Sequence, residues 1–303
     1  MSNLAPAIVH NLRARYGLEI HGAAPLTSGH DTWADCWRMD TDRGELVLRA
    51  DRGVSIQTAD WLSDVQQRAR DAGVPCNPPL VANDGAVAVA AGEATLTLRA
   101  FVQGAELDRD DPVQVRAAGQ ILARLHHAGP DHLAERPAPS PWHACFWPGA
   151  YDPPALRDTQ LDAWHQAFAQ RHHSRFKRGA IHGDFWAGNI IYAAGRVAAV
   201  IDFAEARLDA LVRELAWSTW EFGRDDSYRL DVDRARTFLA GYRQVSGPWD
   251  TGLMDILIPL MRVELRRNAR YSLADRGDSE YNEALQGEFA RLHRTTAASL
   301  LEP

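Results

Sequence analysis

The chain has 303 residues, of which 46% are hydrophobic, 24% charged and 9% aromatic, which disfavours disordered, collagen-like and coiled-coil proteins. Its formal net charge of −7 argues against a nucleic-acid-binding protein, which usually carries a basic stripe. No apolar run approaches the ~18 residues that a membrane helix needs, so we expect no membrane partner. Cys36, Cys76 and Cys145 are far apart and form no Cys-x-x-Cys pair, which indicates neither a disulfide framework nor a zinc site. A reducing, cytoplasmic location is therefore expected.

The first third of the chain predicts a strand-rich region that follows a short helix over residues 5–16. A helix is predicted for Gln57–Ala72, because Gly73 and Pro75 supply stop signals directly after it. Strands are predicted for Trp33–Met39, Leu46–Ala50 and Thr95–Val102, and an Asn83-Asp84-Gly85 hairpin turn between Leu80–Ala82 and Val87–Ala90.

The rest of the chain predicts a mainly helical region. Asp111-Pro112 is a strong helix start, and apolar residues recur at helical spacing from there to Leu125. Pro130–Pro154 predicts irregular structure, and one β-rich stretch, Ala180–Phe203, interrupts the helices. Further helical patterns cover residues 155–176, 211–222, 229–244, 251–274 and 279–300. The sum is an α+β protein with a small and a large lobe and a hinge near residues 101–110.

The β-rich stretch carries the strongest chemical signal in the chain. Two apolar strands flank a loop that holds Asp184 and Asn189, and the second strand ends in Asp202. A hairpin of this length brings Asn189 close to Asp202. Phosphoryl transfer from ATP needs a carboxylate that orients the acceptor hydroxyl and takes its proton, together with hard oxygen ligands for Mg²⁺. These three side chains match that requirement.

The order His-Gly-Asp-x-x-x-x-Asn at residues 182–189, followed by Ile-Asp-Phe at 201–203, resembles the aminoglycoside phosphotransferase and choline kinase family, relatives of the protein kinases. The resemblance extends over most of the chain. It implies a protein-kinase-like two-lobed fold with ATP and Mg²⁺ as cofactors. The N-lobe would cover residues 1–103, with an antiparallel nucleotide-binding sheet and a helix. The mainly helical C-lobe would cover residues 104–303, with the catalytic loop and the acceptor-binding helices.

The resemblance also implies roles for residues at the family's motif positions. Asp184 would be the catalytic base, Asn189 and Asp202 would bind Mg²⁺, and His182 and Gly183 would support the loop. Lys177 is the only lysine, so an arginine is expected where the family grips the phosphates. The nucleotide contacts would come from Ser28, Gly29 and His30 over the phosphates, Arg49 as the strand cation, and the hinge residues Arg99, Phe101 and Val102, whose backbone would bind adenine.

Two positions depart from the family pattern. The helix predicted over residues 57–72 offers no glutamate partner for Arg49, and Asp60 and Asp64 are its nearest acids. Glu214 stands before Leu-Ala where the family usually has aspartate.

The acceptor is expected to be a small-molecule hydroxyl, and an antibiotic is the first choice, because eight acids between residues 205 and 233 could bind a cationic drug. The alternative is a metabolic kinase of an amino alcohol such as homoserine or choline, since residues 201–211 and 266–271 are similar in layout to homoserine-kinase-like members. A third hypothesis is a catalytically silent pseudokinase that binds nucleotide. The sequence leaves the oligomeric state and the choice of ATP over GTP open.

Several histidines, tryptophans and arginines have simpler structural roles than a site. His126 is expected on a helix surface, and most tryptophans in the core. Arg262, Arg266, Arg267 and Arg270 recur at helical spacing and are expected to form a solvated face.

Overall fold

The structure, a computed structural model, describes residues 4–26, 34–128, 133–138, 153–171, 176–247, 251–276 and 279–300. Within these ranges the elements follow in the order α1 (Pro6–Tyr16), β1 (Ile20–Pro25), β2 (Ala34–Thr41), β3 (Gly44–Arg52), α2 (Ile56–Asp71), β4 (Val89–Ala91), β5 (Ala94–Ala100), β6 (Ala105–Glu106), α3 (Pro112–Ala128), α4 (Thr159–Arg171), β7 (Arg178–Ile181), β8 (Ile190–Ala193), β9 (Arg196–Val200), β10 (Arg207–Ala210), α5 (Leu211–Gly223), α6 (Val232–Ser246), α7 (Thr251–Arg276) and α8 (Glu280–Leu292). The predicted α+β class is confirmed.

The first five strands form one antiparallel sheet in the order β1-β2-β3-β5-β4. Successive side chains of a strand point to opposite faces, and β3 shows this clearly. Leu46 and Leu48 are buried in the same cluster as Leu12 and Tyr16 of α1. The alternate β3 positions, among them Arg49, therefore lie on the opposite face of the sheet. The sheet thus has an apolar side that α1 covers and a polar side.

Helix α2 begins at Ser55, whose hydroxyl accepts a hydrogen bond from the backbone N–H of Thr58 at 3.1 Å. Its apolar face, including Trp61 and Val65, packs into the larger hydrophobic core formed mainly by α3 and the later helices. Helix α2 therefore connects the polar side of the sheet to the helical part of the chain. The lobe boundary at residues 103/104 stays a prediction.

Helices α3 and α6 pack closely because each has a glycine at the contact. A Cβ atom on Gly119 would lie 2.1 Å from the carbonyl oxygen of Phe238, and one on Gly241 would lie 2.1 Å from that of Arg116. These distances are far below van der Waals contact, so any larger residue would push the helices apart. The pair fixes α6 against α3 in the centre of the larger core.

Two small sheets hold the β-rich stretch in place. Strands β8 and β9 form the predicted hairpin, and β6 extends it, while β7 pairs with β10. The short strands β6 and β10 were not predicted. Together the two sheets present the 182–189 loop and the end of β9 on the side of the helical core that faces the polar side of the large sheet, as the Arg49–Asp202 contact below shows.

Three expectations were wrong. Asn83-Asp84-Gly85 does form a tight turn, in which Asp84 accepts a hydrogen bond from Ala86 N, but Leu80–Ala82 is not a strand, and β4 pairs with β5 instead. His126 is buried, not on a helix surface. The arginines of α7 are not a solvated face, since Arg262 and Arg266 are buried and paired with Asp158 and Asp162. Burial of these groups is feasible because each faces an acid from another element.

Among the helices that the structure describes, none combines the length and apolar character needed to cross a bilayer.

Candidate active site

The 182–189 loop leaves β7 through a sharp turn that only glycine fits. Gly183 has φ = +85°, and a Cβ atom there would lie 2.2 Å from the carbonyl oxygen of Glu205. A short 3-10 turn, Ala187–Asn189, then leads into β8. The Trp186 ring lies over Gly188, where a Cβ atom would approach it to 2.4 Å. The loop is therefore held from both ends by close contacts.

Asp184 and Asn189 form the centre of this loop. The Asn189 amide donates to Asp184 Oδ2 at 2.9 Å and to the Asp184 carbonyl oxygen at 2.8 Å. Burial, and then the negative charges of Asp202, Glu205 and Glu221, raise the pKa of Asp184 to about 7. Because the Asn189 nitrogen donates to Asp184, its amide oxygen points away from that carboxylate and is available to a cation.

Asp202 follows β9 in a backbone conformation that L-residues rarely adopt, with φ = +57°. Ile201 N donates to the Asn189 carbonyl oxygen at 2.9 Å, which brings the end of β9 beside the loop as the sequence predicted. Burial opposes the charge of Asp202, but the positive charge of Arg49 holds its pKa below the usual value. The site therefore contains two neighbouring carboxylates in opposite electrostatic environments.

Arg49 reaches across from the sheet to this pair. Its Nη1 lies 3.3 Å from Asp202 Oδ2, and its Nε donates to Asp51 Oδ1 at 2.7 Å. Asp51 lies two residues further along β3, on the same face of the strand. The acid that the sequence search sought on α2 is thus on β3 instead. Asp51 and Asp202 are two carboxylate partners of Arg49, one on its own strand and one after β9.

The α2 position that faces the sheet holds Gln66, and it serves a second arginine. Arg99 donates to Gln66 Oε1 and, at 2.9 Å, to the Asn77 carbonyl oxygen. Burial, and then the charge of Arg49, lower the pKa of Arg99 to about 10. The Arg99 side chain is therefore fixed behind Arg49.

The other predicted nucleotide contacts lie in different surroundings. Phe101 stacks under Arg38 at 4.2 Å, and its backbone N–H donates to the Glu45 carbonyl oxygen. Val102 beside it is half-buried. Ser28, Gly29 and His30 lie outside the described residues. The nucleotide-binding roles of all these residues, and of Arg99, stay predictions.

His182 supports the loop through hydrogen bonds to backbone groups. Its Nε2 donates to the Ile201 carbonyl oxygen at 2.8 Å, while Nδ1 accepts from Asp184 N at 3.3 Å. Burial lowers the pKa of His182, so the neutral ring that these two bonds require is favoured. The histidine thereby ties the strand end before Asp202 to the backbone of Asp184.

Glu214 has a larger role than the sequence indicated. Its carboxylate accepts hydrogen bonds from His182 N at 3.0 Å and Gly183 N at 2.6 Å. It also accepts one from His126 Nε2 at 3.0 Å, and His126 Nδ1 in turn contacts the Tyr242 hydroxyl at 2.8 Å. The departure from aspartate thus conserves a buried negative charge that positions the start of the loop. The acid before Leu-Ala was its signal in the sequence.

The donor set at the site fits Mg²⁺. Asp202 and Asn189 offer hard oxygen atoms, which Mg²⁺ prefers, and Mg²⁺ commonly takes only one or two protein ligands with phosphate and water. Within the described ranges, no group of three or more His, Cys, Asp or Glu side chains is arranged to hold a metal. A transition-metal site built from such side chains is thus not found there.

A β-sheet facing a helical core, a loop with an aspartate and an asparagine five residues on, and a cation that reaches a second carboxylate define a small-molecule kinase of the protein-kinase-like fold. Residues 25–248 match APH, the phosphotransferase enzyme family, and the chain belongs to it. The recognised resemblance is therefore confirmed.

Among relatives by sequence are two homoserine kinases. That of Methylobacillus flagellatus is 28% identical over 216 residues, which cover 68% of this chain and 66% of the relative. That of Gluconacetobacter diazotrophicus is 30% identical over 224 residues, which cover 68% of this chain and 67% of the relative. The chain thus matches about two thirds of the length of these relatives.

Among solved structures, similarity extends over almost the whole chain. Amicoumacin kinase hAmiN, in complex with AMP-PNP, Ca²⁺ and Ami, has a TM-score of 0.74 at 15% identity, with 96% of this chain and 94% of that chain covered. A microcompartment-associated aminopropanol kinase has a TM-score of 0.71 at 17% identity, with 98% and 99% covered. These likenesses confirm the predicted kinase-like fold.

Proposed function

We propose that the protein transfers the γ-phosphoryl group of ATP to the hydroxyl group of a small amino-acid-like metabolite, with homoserine as the first candidate. The observation that carries the proposal is the arrangement of Asp184, Asn189 and Asp202, with Arg49 at 3.3 Å from Asp202. The relatives named homoserine kinase support this acceptor over an antibiotic.

The acids that suggested a cationic antibiotic are mostly engaged within the protein, which also favours a metabolite. Asp225 accepts hydrogen bonds from two backbone N–H groups of its own turn, and Asp231 caps α6. Asp209, Asp226 and Asp233 pair with arginines, and Glu214 positions the loop. Glu221 also pairs with Arg224, so at least seven of the eight acids between residues 205 and 233 have partners within the protein.

In the proposed reaction the bond between the γ-phosphorus and the bridging oxygen of ADP breaks, and a bond from the acceptor oxygen to that phosphorus forms. Asp184 orients the acceptor hydroxyl and takes its proton, and Asn189 fixes the carboxylate for this task. Arg49, held in place by Asp51, would bind the phosphates with its charged guanidinium group. Mg²⁺, when held by Asn189 and Asp202, would neutralise charge on the transferred phosphates.

The test is acceptor-dependent ADP release with Mg·ATP, using homoserine, choline, aminopropanol, aminoglycosides and other antibiotics, and the variant Asp184→Asn as control. Release with homoserine that disappears in the variant, while ATP affinity stays largely intact, is the expected result. ADP release with an antibiotic and with no other acceptor would support the hypothesis of an antibiotic kinase and refute the metabolite acceptor. ATP binding without acceptor-dependent release by any of these compounds would favour the pseudokinase and refute the proposal.

A further inference from the structure

The end of α5 carries charged and aromatic side chains that the proposed chemistry does not use. We name them the α5-end cluster: Glu221, Arg224, Tyr228 and Tyr281. Glu214, Ser218 and Glu221 are spaced four and three residues apart, so they lie on one face of α5. Glu214 bonds to the loop backbone at Gly183, and the Ser218 hydroxyl donates to the Phe185 carbonyl oxygen at 3.2 Å.

Glu221 therefore lies one turn beyond Ser218, on the helix face that follows the catalytic loop. Phe185, which Ser218 contacts, directly follows Asp184 in the chain, so this face of α5 lies beside the residue that would receive the acceptor hydroxyl. Burial, and then the charge of Glu221, raise the pKa of Tyr281 on the first turn of α8, which agrees with a position of Tyr281 beside Glu221. The α5-end cluster thus borders the carboxylate that would receive the acceptor hydroxyl.

Within the cluster, an ion pair uses only part of its hydrogen-bonding capacity. Arg224 Nε donates to Glu221 Oε2 at 2.8 Å, and the two side chains are only 11% and 8% exposed. The Arg224 guanidinium lies over the Tyr228 ring at 4.5 Å and the Trp220 ring at 5.4 Å. In the part of the chain that the structure describes, Nη1 and Nη2 of Arg224 and Oε1 of Glu221 have no hydrogen-bond partner.

None of these three atoms is among the buried polar atoms that lack a partner, so solvent reaches them and they are open to a ligand. A ligand that carries both a carboxylate and an ammonium group would satisfy both halves. The planar guanidinium suits a carboxylate, which can bind it through two parallel hydrogen bonds. A polycation would meet the charge of Arg224 beside that of Glu221, and an amino alcohol without a carboxylate would leave Arg224 unsatisfied.

The loop that carries Tyr228 is rigid and strained, as binding sites often are. Tyr228 has φ = +61°, which a bulky residue adopts at a cost of about 1–3 kcal/mol. The Asp225 carboxylate holds this turn by accepting hydrogen bonds from Ser227 N and Arg229 N, both at 2.9 Å. The strain places the Tyr228 ring between Arg224 and Tyr281, whose ring it meets edge-on at 5.1 Å.

We propose that the α5-end cluster is the specificity site for the zwitterionic end of a hydroxy amino acid. Arg224 binds its carboxylate and Glu221 its ammonium group, so that the side-chain hydroxyl extends toward Asp184. Tyr228 and Tyr281 form the walls that orient the two charged groups. This inference rests on the proposed function, because it concerns the acceptor of the same site.

Three acceptors that differ by one charged group test it. Homoserine carries both groups, 3-aminopropan-1-ol lacks the carboxylate, and 4-hydroxybutyrate lacks the ammonium group. Arg224→Gln should raise KM for homoserine by about 10- to 100-fold, the effect of losing one charge-assisted contact. It should leave KM, or the inhibition constant, of 3-aminopropan-1-ol unchanged. Glu221→Gln should raise KM for homoserine by a similar factor and should leave the KM, or the inhibition constant, of 4-hydroxybutyrate unchanged.

Arg236→Gln is the matched control, because Arg236 forms the same i,i+3 kind of pair with Asp233, which is 88% exposed on α6. Arg236→Gln should leave the KM or inhibition constant of every acceptor unchanged, and all variants should keep the wild-type KM for ATP. If thermal melting shows that Arg224→Gln folds poorly, Arg224→Lys is measured instead. It retains the charge but not the planar guanidinium group, so its KM for homoserine should lie between those of the wild type and Arg224→Gln.

The outcomes separate the inference from the proposed function. One outcome is that the wild type phosphorylates homoserine while Arg224→Gln raises the KM of homoserine and of 3-aminopropan-1-ol equally, or raises neither. That result would refute the specificity site and leave the proposed kinase activity intact. If the wild type phosphorylates no hydroxy amino acid, the proposed acceptor and the inference both fail.

Discussion

Replacing Glu214 by glutamine tests the structural basis of the catalytic loop. Three donors converge on the two Glu214 oxygens: His126 Nε2, His182 N and Gly183 N. The glutamine oxygen can keep the first two, and its amide nitrogen must then face the Gly183 N–H, from which the carboxylate accepts at 2.6 Å. The loss of one charge-assisted bond costs about 1.5–3 kcal/mol, and a buried N–H facing another donor costs about 1–3 kcal/mol more.

We expect a loss of about 2.5–6 kcal/mol in the free energy of unfolding, a large part of a typical ~5–15 kcal/mol. Because the displaced turn carries Asp184, kcat should fall by about 100-fold, the effect of a misplacement near 1 Å. Urea unfolding and initial-rate kinetics at saturating substrate measure the two effects. Glu214→Asp, which keeps the charge, should lose less of both the free energy of unfolding and kcat. An unchanged urea midpoint together with an unchanged kcat in Glu214→Gln would refute this account of the loop.

Three further predictions concern other parts of the molecule. Gly119→Ala should cost more than about 3 kcal/mol, because its Cβ would overlap a backbone carbonyl of α6, while Gly287→Ala, with open space around it, should be neutral or stabilising in the same urea unfolding experiment. Burial opposes the charge of Glu264, but two arginines hold its pKa below the usual ~4.3. Its charge therefore contributes fully to the free energy of unfolding above that pH, and this contribution is lost as the pH falls. Urea midpoints at pH 7 and pH 4 should therefore differ less in Glu264→Gln than in the wild type, and parallel pH profiles would contradict this. Asp51→Asn should release Arg49 and raise KM for ATP about fivefold to tenfold without changing KM for the acceptor, and an unchanged KM for ATP would disprove the anchoring role.

The sequence predicted the central elements of the site well because they are local. Asp184, Asn189 and Asp202 lie within 19 residues on one hairpin, so loop and strand lengths alone bring them together. The helices were also predictable, since α2, α3 and α5 have clear periodicity and the α2 and α3 starts carry capping residues. Short strands such as β10 were missed, because four residues carry too little pattern to separate a strand from a loop.

Long-range pairing explains what the sequence could not show. The arginines of α7 recur at the spacing of an exposed face, but Arg262 and Arg266 meet acids at Asp158 and Asp162, about a hundred residues earlier in the chain. His126 is likewise buried because Glu214 and Tyr242 come to it from distant elements. Periodicity reports which residues share a helix face, and only the tertiary packing decides whether that face meets water or an opposite charge.

The missing acid on α2 shows how the site keeps its electrostatics with an altered set of residues. A buried arginine on the sheet needs a carboxylate partner, and Asp51 provides it from the same strand, so α2 no longer has to. The α2 position can then hold Gln66, a neutral acceptor that binds Arg99 together with the Asn77 carbonyl oxygen. Because Asp51 is part of the sheet, Arg49 stays oriented toward Asp202 independently of how α2 is placed. The absence of a helix glutamate therefore does not argue for a silent kinase, because the cation has one carboxylate anchor on its own strand, Asp51, and another at Asp202.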